Sequence, residues 1–419
     1  MKRFAIIAVL AALTLGMTCG CTSFLFGDPE DDTKPVRQPQ ATEASPDADD
    51  SHAALSGYSH LQNDAEREIY RLIGEYAYKP EGESFRVSGE GQNELVSKVY
   101  EVYDTDHPEV FWLGGDYDFE YYNDDGYTVI DLIFCFDASE LDGAKKKFDE
   151  ETEKALSNAP SNGTDFEKEL YINDLLIEKC AYNYDAASSD KVVGNEHNAY
   201  GALIEGSAVC EGYAKAFQHL SNKLGLECVS LNGVCEGDTA FSGNHIWNCV
   251  RLDGDWYHVD VTWNDYDKED DNISREVIAH SYLNLTDDEI KKDHTINPLY
   301  YSDEATDSSK SYNAFIPECT ADKYNYFACY YPTLTSLDDT VEIEEALTKA
   351  AADGEDIFII NVDDSLDFSS TYQEVLDSYA YQWLTTANNQ NDWDHQIEES
   401  CYIYTYGDAD IMVFALEYK

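Results

Sequence analysis

The stretch Asn244-His245-Ile246-Trp247-Asn248-Cys249-Val250-Arg251-Leu252 is followed by Asp253-Gly254 and then by Asp255-Trp256-Tyr257-His258-Val259-Asp260-Val261-Thr262. Apolar and polar residues alternate on both sides of Asp253-Gly254, and an Asp-Gly pair between two alternating runs is a strong signal for a two-residue hairpin turn. If these two residues form the loop, residues i and j pair when i + j = 507. The sequence therefore predicts a β-hairpin whose register is set by its turn.

This register places a histidine and an aspartate on one face of the hairpin. His245 pairs with Thr262 and Trp247 pairs with Asp260, so His245 and Asp260 are diagonal neighbours, roughly 7–8 Å apart at the backbone. The opposite face is apolar except for one asparagine and is the candidate core face. An imidazole and a carboxylate at this spacing can act as the base of a nucleophilic site and the acid that orients it.

A candidate nucleophile lies upstream in Gly206-Ser207-Ala208-Val209-Cys210-Glu211-Gly212-Tyr213. A helical pattern runs from Cys210 to Gly225, which predicts that Cys210 sits at a helix N-terminus. There the unpaired N–H groups and the helix dipole favour a thiolate, and the same N–H groups can stabilise an oxyanion. Taken alone, Cys210 could also be a small buried hydrophobic residue, which is the commoner fate of a lone cysteine.

Three blocks in this order make the stretch from about 182 to 265 resemble the transglutaminase-like superfamily: the G-x-A-x-C-E-G-Y helix start, the H-x-W strand and the W-Y-H-V-D-V-T-W strand. The resemblance implies an α+β fold with a papain-like core, in which the cysteine-bearing helix packs on an antiparallel sheet. It assigns the nucleophile to Cys210, the general base to His245 and the orienting acid to Asp260.

The resemblance implies thiol acyl transfer on amide bonds of proteins or peptides, as in cysteine peptidases and crosslinking transglutaminases. Crosslinking members use a tryptophan upstream of the cysteine to stabilise the oxyanion, and this chain has no Trp between Trp112 and Trp247. Tyr184 and Trp247 are therefore the candidates for oxyanion or substrate contacts, and hydrolysis and transamidation both stay open. The alternative is a catalytically silent module of the same fold that binds protein or cell wall at the cell surface.

The N-terminus has the pattern of a bacterial lipoprotein signal. Lys2 and Arg3 precede an apolar run from Phe4 to Met17, whose 14 residues fall short of the about 20 needed to span a bilayer. Thr18-Cys19-Gly20-Cys21 resembles a lipobox, in which Cys21 would be acylated; an ordinary secretory signal is the alternative. We expect a membrane-anchored protein on the extracytoplasmic face, attached to the membrane only through this lipid anchor.

The amino-acid composition limits the classes of molecule that this protein is expected to bind. The 419 residues carry 27 Lys and Arg against 84 Asp and Glu, a net charge of −57, which disfavours nucleic acid because phosphate binding needs clustered cations. Asp28 to Asp50 contains eight acids and four prolines, which predicts a disordered tether. The expected partner is a protein or peptide substrate, and the oligomeric state stays open.

The chain divides by pattern into a signal peptide, a tether, an N-terminal α+β region, the transglutaminase-like core and a C-terminal α+β domain. The boundaries are 1–21, 22–59, 60–160, 161–302 and 311–419. Helices are expected at Asn93–Tyr103, Ser139–Leu156, Asp165–Cys180 and Tyr372–Leu384, with strands at Tyr127–Phe134, Ile357–Val362, Tyr402–Tyr406 and Ile411–Leu416. The tyrosine-rich strands fit half-buried strands better than a binding surface.

No cofactor is expected. The acidic run from Asp265 to Asp271 mimics part of a calcium loop, but Asp270 stands where the loop needs glycine, so a solvated loop is favoured. The chain has no CxxC or HxxxH spacing for zinc, and His258, the rival to His245, is interpreted as a structural hydrogen-bonding residue. Besides Cys19, Cys21 and Cys210, the chain has eight cysteines, and an exported protein can join some of them in disulfides. Their spacing does not determine which ones pair. They are Cys135, Cys180, Cys228, Cys235, Cys249, Cys319, Cys329 and Cys401.

Overall fold

The computed structural model describes residues 57–80, 82–89, 92–122, 126–189, 193–236, 243–265, 272–296, 313–363, 365–391, 396–406 and 409–419. The predicted signal peptide, Cys21, most of the predicted tether and nearly all of the acidic run 265–271 lie outside these residues. Within them, none of the helices has the length and apolar character that crossing a bilayer requires.

The N-terminal part is a small antiparallel sheet with helices. Its elements are a 3₁₀ turn Gly57–His60, α1 Asp64–Tyr76, β1 Phe85–Ser88, α2 Asn93–Asp106, β2 Leu113–Tyr122, β3 Tyr127–Phe134 and α3 Ala138–Asn158. The strands lie in the order β1-β3-β2. Asn63 caps α1, because its side chain accepts a hydrogen bond from the Glu66 amide at 3.0 Å.

The middle part packs a cysteine-bearing helix on an antiparallel sheet. Its elements are α4 Asp165–Lys179, β4 Ala181–Tyr182, α5 Tyr184–Ala187, a 3₁₀ turn Asn195–His197, a π-helical turn Gly201–Glu205, β5 Ser207–Ala208, α6 Cys210–Lys223, β6 Glu227–Cys235, β7 Gly243–Leu252, β8 Asp255–Val259, α7 Val261–Asn264, α8 Asn272–Ile278, β9 Leu283–Leu285, α9 Asp287–Ile290 and β10 His294–Ile296. The main sheet has five strands in the order β10-β6-β7-β8-β9, and each strand is antiparallel to its neighbours. This is the predicted α+β fold with a papain-like transglutaminase core.

The hairpin register is as predicted, but its second strand is shorter. Asn248 pairs with Val259 and Leu252 with Asp255, which satisfies i + j = 507. The strand stops at Val259, so the expected pairs His245–Thr262 and Trp247–Asp260 do not form as ladder pairs. The reason lies in Asp260, whose side chain accepts the amide hydrogens of Thr262 and Trp263 and caps α7.

Both faces of β7 are covered, the predicted core face and also the face that carries His245. Val250 and Leu252 belong to the main core, as predicted. Trp247 and Cys249, on the His245 face, are also fully buried, in a separate apolar cluster beneath a loop. His245 therefore emerges at the rim of a packed layer rather than on an exposed sheet face.

The C-terminal part has its own sheet and core. Its elements are α10 Tyr326–Tyr330, β11 Thr333–Leu334, α11 Val341–Asp353, β12 Ile357–Val362, α12 Phe368–Glu374, a π-helical turn Val375–Tyr379, α13 Ala380–Gln390, β13 Tyr402–Tyr406 and β14 Ile411–Ala415. The strand order is β11-β12-β14-β13. Apolar residues of β12, β14, α11 and α13 form the core between sheet and helices. Tyr402 and Tyr404 on the edge strand β13 are exposed.

Aromatic packing joins the N-terminal and middle parts into one apolar core. Phe111 stacks on Tyr200 with ring centroids 5.1 Å apart and contacts Phe148 of α3 at 4.6 Å. Buried residues from both parts belong to the same cluster. Because this core is continuous, the N-terminal helices hold a fixed position beside the helix that carries Cys210.

A carboxyl group is buried under the main sheet. Glu169 on α4 is completely buried, and its Oε2 accepts a hydrogen bond from Asn284 Nδ2 at 2.8 Å while Oε1 has no partner. Burial raises the pKa of Glu169 to about 8, because the Asn284 hydrogen bond only partly offsets the loss of solvation. The folded state therefore holds this group protonated at neutral pH.

Glu169→Gln is expected to stabilise the protein at high pH. Since the ordinary pKa is 4.5, folding takes up a proton between about pH 4.5 and 8, and stability falls as pH rises through that window. Urea unfolding should show a gain of about 4 kcal/mol at pH 8, since each pKa unit corresponds to about 1.36 kcal/mol, and almost none at pH 4. The exposed Glu153→Gln is the control. An equal gain at both pH values, or a loss at pH 8, would contradict the assignment.

Candidate active site

Cys210 is the first residue of α6, as the sequence predicts. Its side chain is partly exposed, and the preceding cap residue, Val209, has no polar side chain to bind the first amides of the helix. The start of α6 packs closely against the backbone of Glu196, and this requires glycine at position 212. A Cβ there would lie 2.7 Å from the Glu196 carbonyl oxygen. The thiol therefore lies beside amide donors at the positive end of a fourteen-residue helix.

His245 and Asp260 form a buried pair. Nε2 of His245 lies 2.5 Å from Oδ2 of Asp260, and the two side chains are 4% and 0% exposed. Oδ1 of Asp260 accepts the amides of Thr262 and Trp263 at 2.9 and 3.1 Å. Because both carboxylate oxygens are engaged, Asp260 is fixed in position and fixes the imidazole ring in turn.

The electrostatics of the pair favour its charged form. Burial disfavours the charged form of both groups. For each group, the opposite charge of its partner favours the charged form more strongly than burial disfavours it. The Asp260 carboxylate, helped by Cys210, raises the pKa of His245 well above its ordinary value, and His245 with His294 lowers the pKa of Asp260. The site thus favours an imidazolium against a carboxylate, next to Cys210.

His294 also belongs to this site, although its position in the sequence did not predict it. It lies on β10, and its Nε2 is 3.1 Å from the same Asp260 oxygen that contacts His245. Its Nδ1 contacts Asp293, and these carboxylates outweigh burial and raise the pKa of His294. β10 is only three residues long, so the sequence around His294 shows no periodic pattern. His294 is brought to the site by the pairing of β10 with β6.

The nucleophile and the base line one cavity of about 360 Å³. Strands β6 and β7 form one wall, the start of α6 forms another, and α2 of the N-terminal part closes the third side. Residues from each wall include Glu101, Asp104, Tyr182, Cys210, Gly233 and His245. The N-terminal part, to which the sequence assigned no role, therefore shapes the access to Cys210.

A buried ion network fixes the α2 wall to α6. Lys215 Nζ lies 2.6 Å from Asp104 Oδ2 and 2.8 Å from Glu211 Oε1, and His197 contacts Glu211 at 3.2 Å. Burial opposes ionisation, but Lys215 and His197 hold the pKa of Glu211 well below its usual range. Because Glu211 directly follows Cys210 in the chain, this network positions the start of the helix.

The two residues predicted for oxyanion or substrate contacts lie elsewhere. Among the described residues, the cavity wall includes Tyr182 but neither Tyr184 nor Trp247. Tyr184 is 55% exposed and packs edge-on against Tyr182, whereas Trp247 is fully buried and stacks on His245 with ring centroids 5.9 Å apart. Gly233 makes room for that indole, since a Cβ there would lie 2.6 Å from its ring.

His258 lies away from this cavity. It is completely buried, its Nδ1 accepts a hydrogen bond from Trp247 Nε1 at 3.2 Å, and its Nε2 lies 3.0 Å from Asp287 Oδ1. The nearby Cys319 has its pKa lowered to about 6, by the Cys249 thiol first and then by His258. These groups form a second buried cluster on the far side of Trp247.

A set of donor atoms that could hold a metal surrounds Asp260. Atoms of His245, Asp260 and His294 lie within 4.8 Å of one another. Both imidazoles already direct a nitrogen at the same carboxylate oxygen, so the hydrogen bonds account for this arrangement as it stands.

Comparison with known proteins agrees with this architecture. Residues 153–261 match the family model of the Transglutaminase-like superfamily. The chain is 39% identical over 61 residues to mouse (Mus musculus) Kyphoscoliosis peptidase, covering 13% of this chain and 9% of that protein. It is 30% identical over 128 residues to the human (Homo sapiens) Kyphoscoliosis peptidase, covering 29% and 18%. The chain thus spans less than a fifth of the length of these relatives.

Solved structures show more distant similarity. A TGase crystal structure aligns at 13% identity with a TM-score of 0.25, over 46% of this chain and 53% of that one. A candidate cysteine protease from Cytophaga hutchinsonii aligns at 14% identity with a TM-score of 0.23, over 35% and 61%. Neither similarity is close enough to inform the chemistry of this chain.

Asp260→Asn is expected to lower the pKa of His245, because the carboxylate is the strongest influence that raises it. Histidine-selective ¹⁵N NMR titration measures this, with His245→Gln to assign the signal. His245 contributes its stabilisation below its ordinary pKa of 6.5 and loses it as pH rises through the raised value, whereas Asp260 loses its share as pH falls below its ordinary pKa of 3.8. The variant should therefore lose stability most clearly between these two ordinary pKa values.

The control for this titration is Asp253→Asn, at an exposed turn where Asn tolerates the positive φ. It should leave the His245 signal unchanged. A His245 pKa that is the same in Asp260→Asn and in the wild type would contradict the assigned pair.

Proposed function

We propose, starting from the transglutaminase-like domain that residues 153–261 form, that this chain is a thiol acyl-transfer enzyme acting on amide bonds of proteins or peptides. Cys210 is the nucleophile, His245 the general base and Asp260 the group that orients the base. The observation that supports this most strongly is the joint placement of Cys210 and His245 on one cavity, with His245 held from behind by Asp260.

The reaction follows from the placement of the two nitrogens of His245. Because Nε2 contacts Asp260, Nδ1 is the nitrogen left to exchange a proton with Cys210. The thiolate attacks the amide carbonyl carbon, a carbon–sulfur bond forms, and the imidazolium gives its proton to the departing amine as the carbon–nitrogen bond breaks. Water or a second amine then attacks the thioester and releases Cys210.

The oxyanion formed in this attack needs hydrogen-bond donors. The amides at the start of α6 suit this role, because Val209 offers no side-chain cap and the helix dipole favours negative charge there. We assign Trp247 to supporting the His245 ring rather than to the oxyanion, since its indole N–H donates to His258. Tyr184 is left as a candidate contact for substrate beyond the cavity.

We also propose the cellular setting from the N-terminal sequence. Lipidation at Cys21 would anchor the chain at the extracytoplasmic face of the cell membrane, and the acidic tether would extend the folded part toward its substrate. Globomycin sensitivity of processing and loss of anchoring in Cys21→Ser would test this part separately from the chemistry.

A silent binding module of the same fold is the second candidate. The observation in its favour is that, among the described residues, neither side chain predicted to contact the oxyanion lines the cavity. It predicts that Cys210→Ser keeps the native function of the protein, whereas the enzyme hypothesis predicts that this change abolishes it.

Cys210→Ala is expected to eliminate acyl-enzyme formation, and His245→Gln to slow it by about 10³-fold, since each removes a group that acts in the bond-making step. The measurement is intact-mass detection of the thioester during turnover of a peptide library, with parallel assays for new amino termini and for amine incorporation. New termini indicate hydrolysis, and incorporated amine indicates transamidation.

Cys329→Ala is the matched control, because Cys329 is an exposed thiol. It should leave acylation unchanged. Wild-type protein that forms no covalent adduct with any peptide or electrophilic thiol probe at Cys210, while remaining folded, would rule out the enzyme hypothesis and favour the binding module.

A further inference from the structure

A second group of reactive side chains converges beneath the main sheet. Cys249 on β7 and His258 on β8 are directly paired across the hairpin, with Cys249 Sγ 3.1 Å from His258 Nδ1. Cys319 approaches from a later segment, and its Sγ lies 3.7 Å from that of Cys249. The backbone helps to fix Cys319, whose carbonyl oxygen accepts the amide of Asp287 at 2.7 Å. One imidazole nitrogen and two sulfurs therefore lie close together.

The imidazole is oriented as a metal ligand would be. Nε2 of His258 contacts Asp287 at 3.0 Å, and Nδ1 accepts a hydrogen bond from Trp247, so the proton lies on Nε2 and Nδ1 is the unprotonated nitrogen, 3.1 Å from Cys249 Sγ. A histidine that binds a metal commonly donates its other N–H to a carboxylate in this way. Asp287 thus supplies the outer support that such a ligand needs.

The spacing of the sulfurs fits a shared ion better than a disulfide. Two Zn–S bonds of about 2.3 Å at a tetrahedral angle place the sulfurs about 3.8 Å apart, close to the observed separation. A disulfide would require the sulfurs to approach to about 2.05 Å. The ligand atoms of the three residues all lie within 4.8 Å of one another.

Burial gives a reason for a cation at this point. Cys249, His258 and Cys319 are all 0% exposed, in a cluster with Leu231 and Ile290. A thiolate alone in such surroundings is costly. Two thiolates with one divalent cation form a neutral group, and each thiol gives its proton to solvent as the ion binds.

We propose that Cys249, His258 Nδ1 and Cys319 bind a single thiophilic d¹⁰ cation, for which Zn²⁺ is the probe. Three protein ligands leave one tetrahedral position for a water molecule. The ion would tie the segment around Cys319 to the central hairpin. It is separate from the proposed acyl-transfer chemistry, which uses neither sulfur. The site escapes sequence inspection because its two cysteines are 70 residues apart.

Trp247 connects this site to the candidate active site. Its indole N–H donates to His258 Nδ1, and its ring stacks on His245. A cation at Nδ1 takes the lone pair that now accepts this hydrogen bond, so binding should alter the environment of Trp247. Indole fluorescence therefore offers a readout that does not depend on activity.

The test is metal analysis of the full-length protein purified without chelators, together with Co²⁺ substitution. We expect about one zinc per chain, a sulfur-to-cobalt charge-transfer band, and a fluorescence change on removing the metal. Cys249→Ser, Cys319→Ser and His258→Gln should each reduce bound zinc at least tenfold, judged only in variants whose circular dichroism shows a folded protein.

Controls separate this proposal from the others. Cys228→Ser, a buried cysteine on the neighbouring strand β6, should retain the metal, and so should Cys210→Ala, whatever its effect on acyl transfer. His294→Gln should retain it too, because His294 belongs to the other set of donor atoms.

Three results would overturn the proposal. The first is protein as isolated that carries a Cys249–Cys319 disulfide, seen as a mass about 2 Da lower with two fewer free thiols. The second is zinc that stays bound when Cys319 is replaced, or that is lost on replacing His294. The third is metal-free protein that gives no charge-transfer band with Co²⁺ under reducing conditions.

Discussion

The buried carboxylate of Asp260 is the point on which the candidate site depends. It accepts hydrogen bonds from two backbone amides, and its other oxygen meets the imidazoles of His245 and His294. Such a charge is tolerated in the interior only because all of its acceptor sites are engaged. The same contacts end strand β8, begin helix α7 and link β10 to β7. The geometry of the base is therefore part of the folding of the sheet and is set before any substrate binds.

Local signals predicted much of this arrangement. The Asp253-Gly254 turn set the hairpin register correctly, because loop length fixes which residues pair. The small residues before Cys210 and the periodic residues after it located the start of α6. The predicted end of β8 was wrong, because the Asp260 side chain binds the amides that follow it and the strand pairing stops there. An alternating pattern of apolar and polar residues does not show that a side chain will cap the next helix.

The contacts between residues far apart in the chain could not be predicted from the sequence, for a different reason. His294, the α2 wall and Cys319 reach their sites through strand pairing and shared core packing with residues far away along the chain. Their own neighbours carry no periodic signal for this. Trp247 shows the consequence most clearly. It was predicted as an oxyanion or substrate contact, yet it lies in the packed layer between two imidazoles, where it stacks on His245 and donates to His258.

The central claim is that a carboxylate-held imidazole activates the Cys210 thiol toward an acyl group. Single-turnover acylation of Cys210 by an activated peptide ester, compared between wild-type protein and folded Asp260→Asn, tests it most directly. The account predicts a fall of at least about 10²-fold in the acylation rate, because an amide at position 260 neither stabilises the imidazolium nor fixes the required tautomer. Equal rates in the two proteins would contradict it.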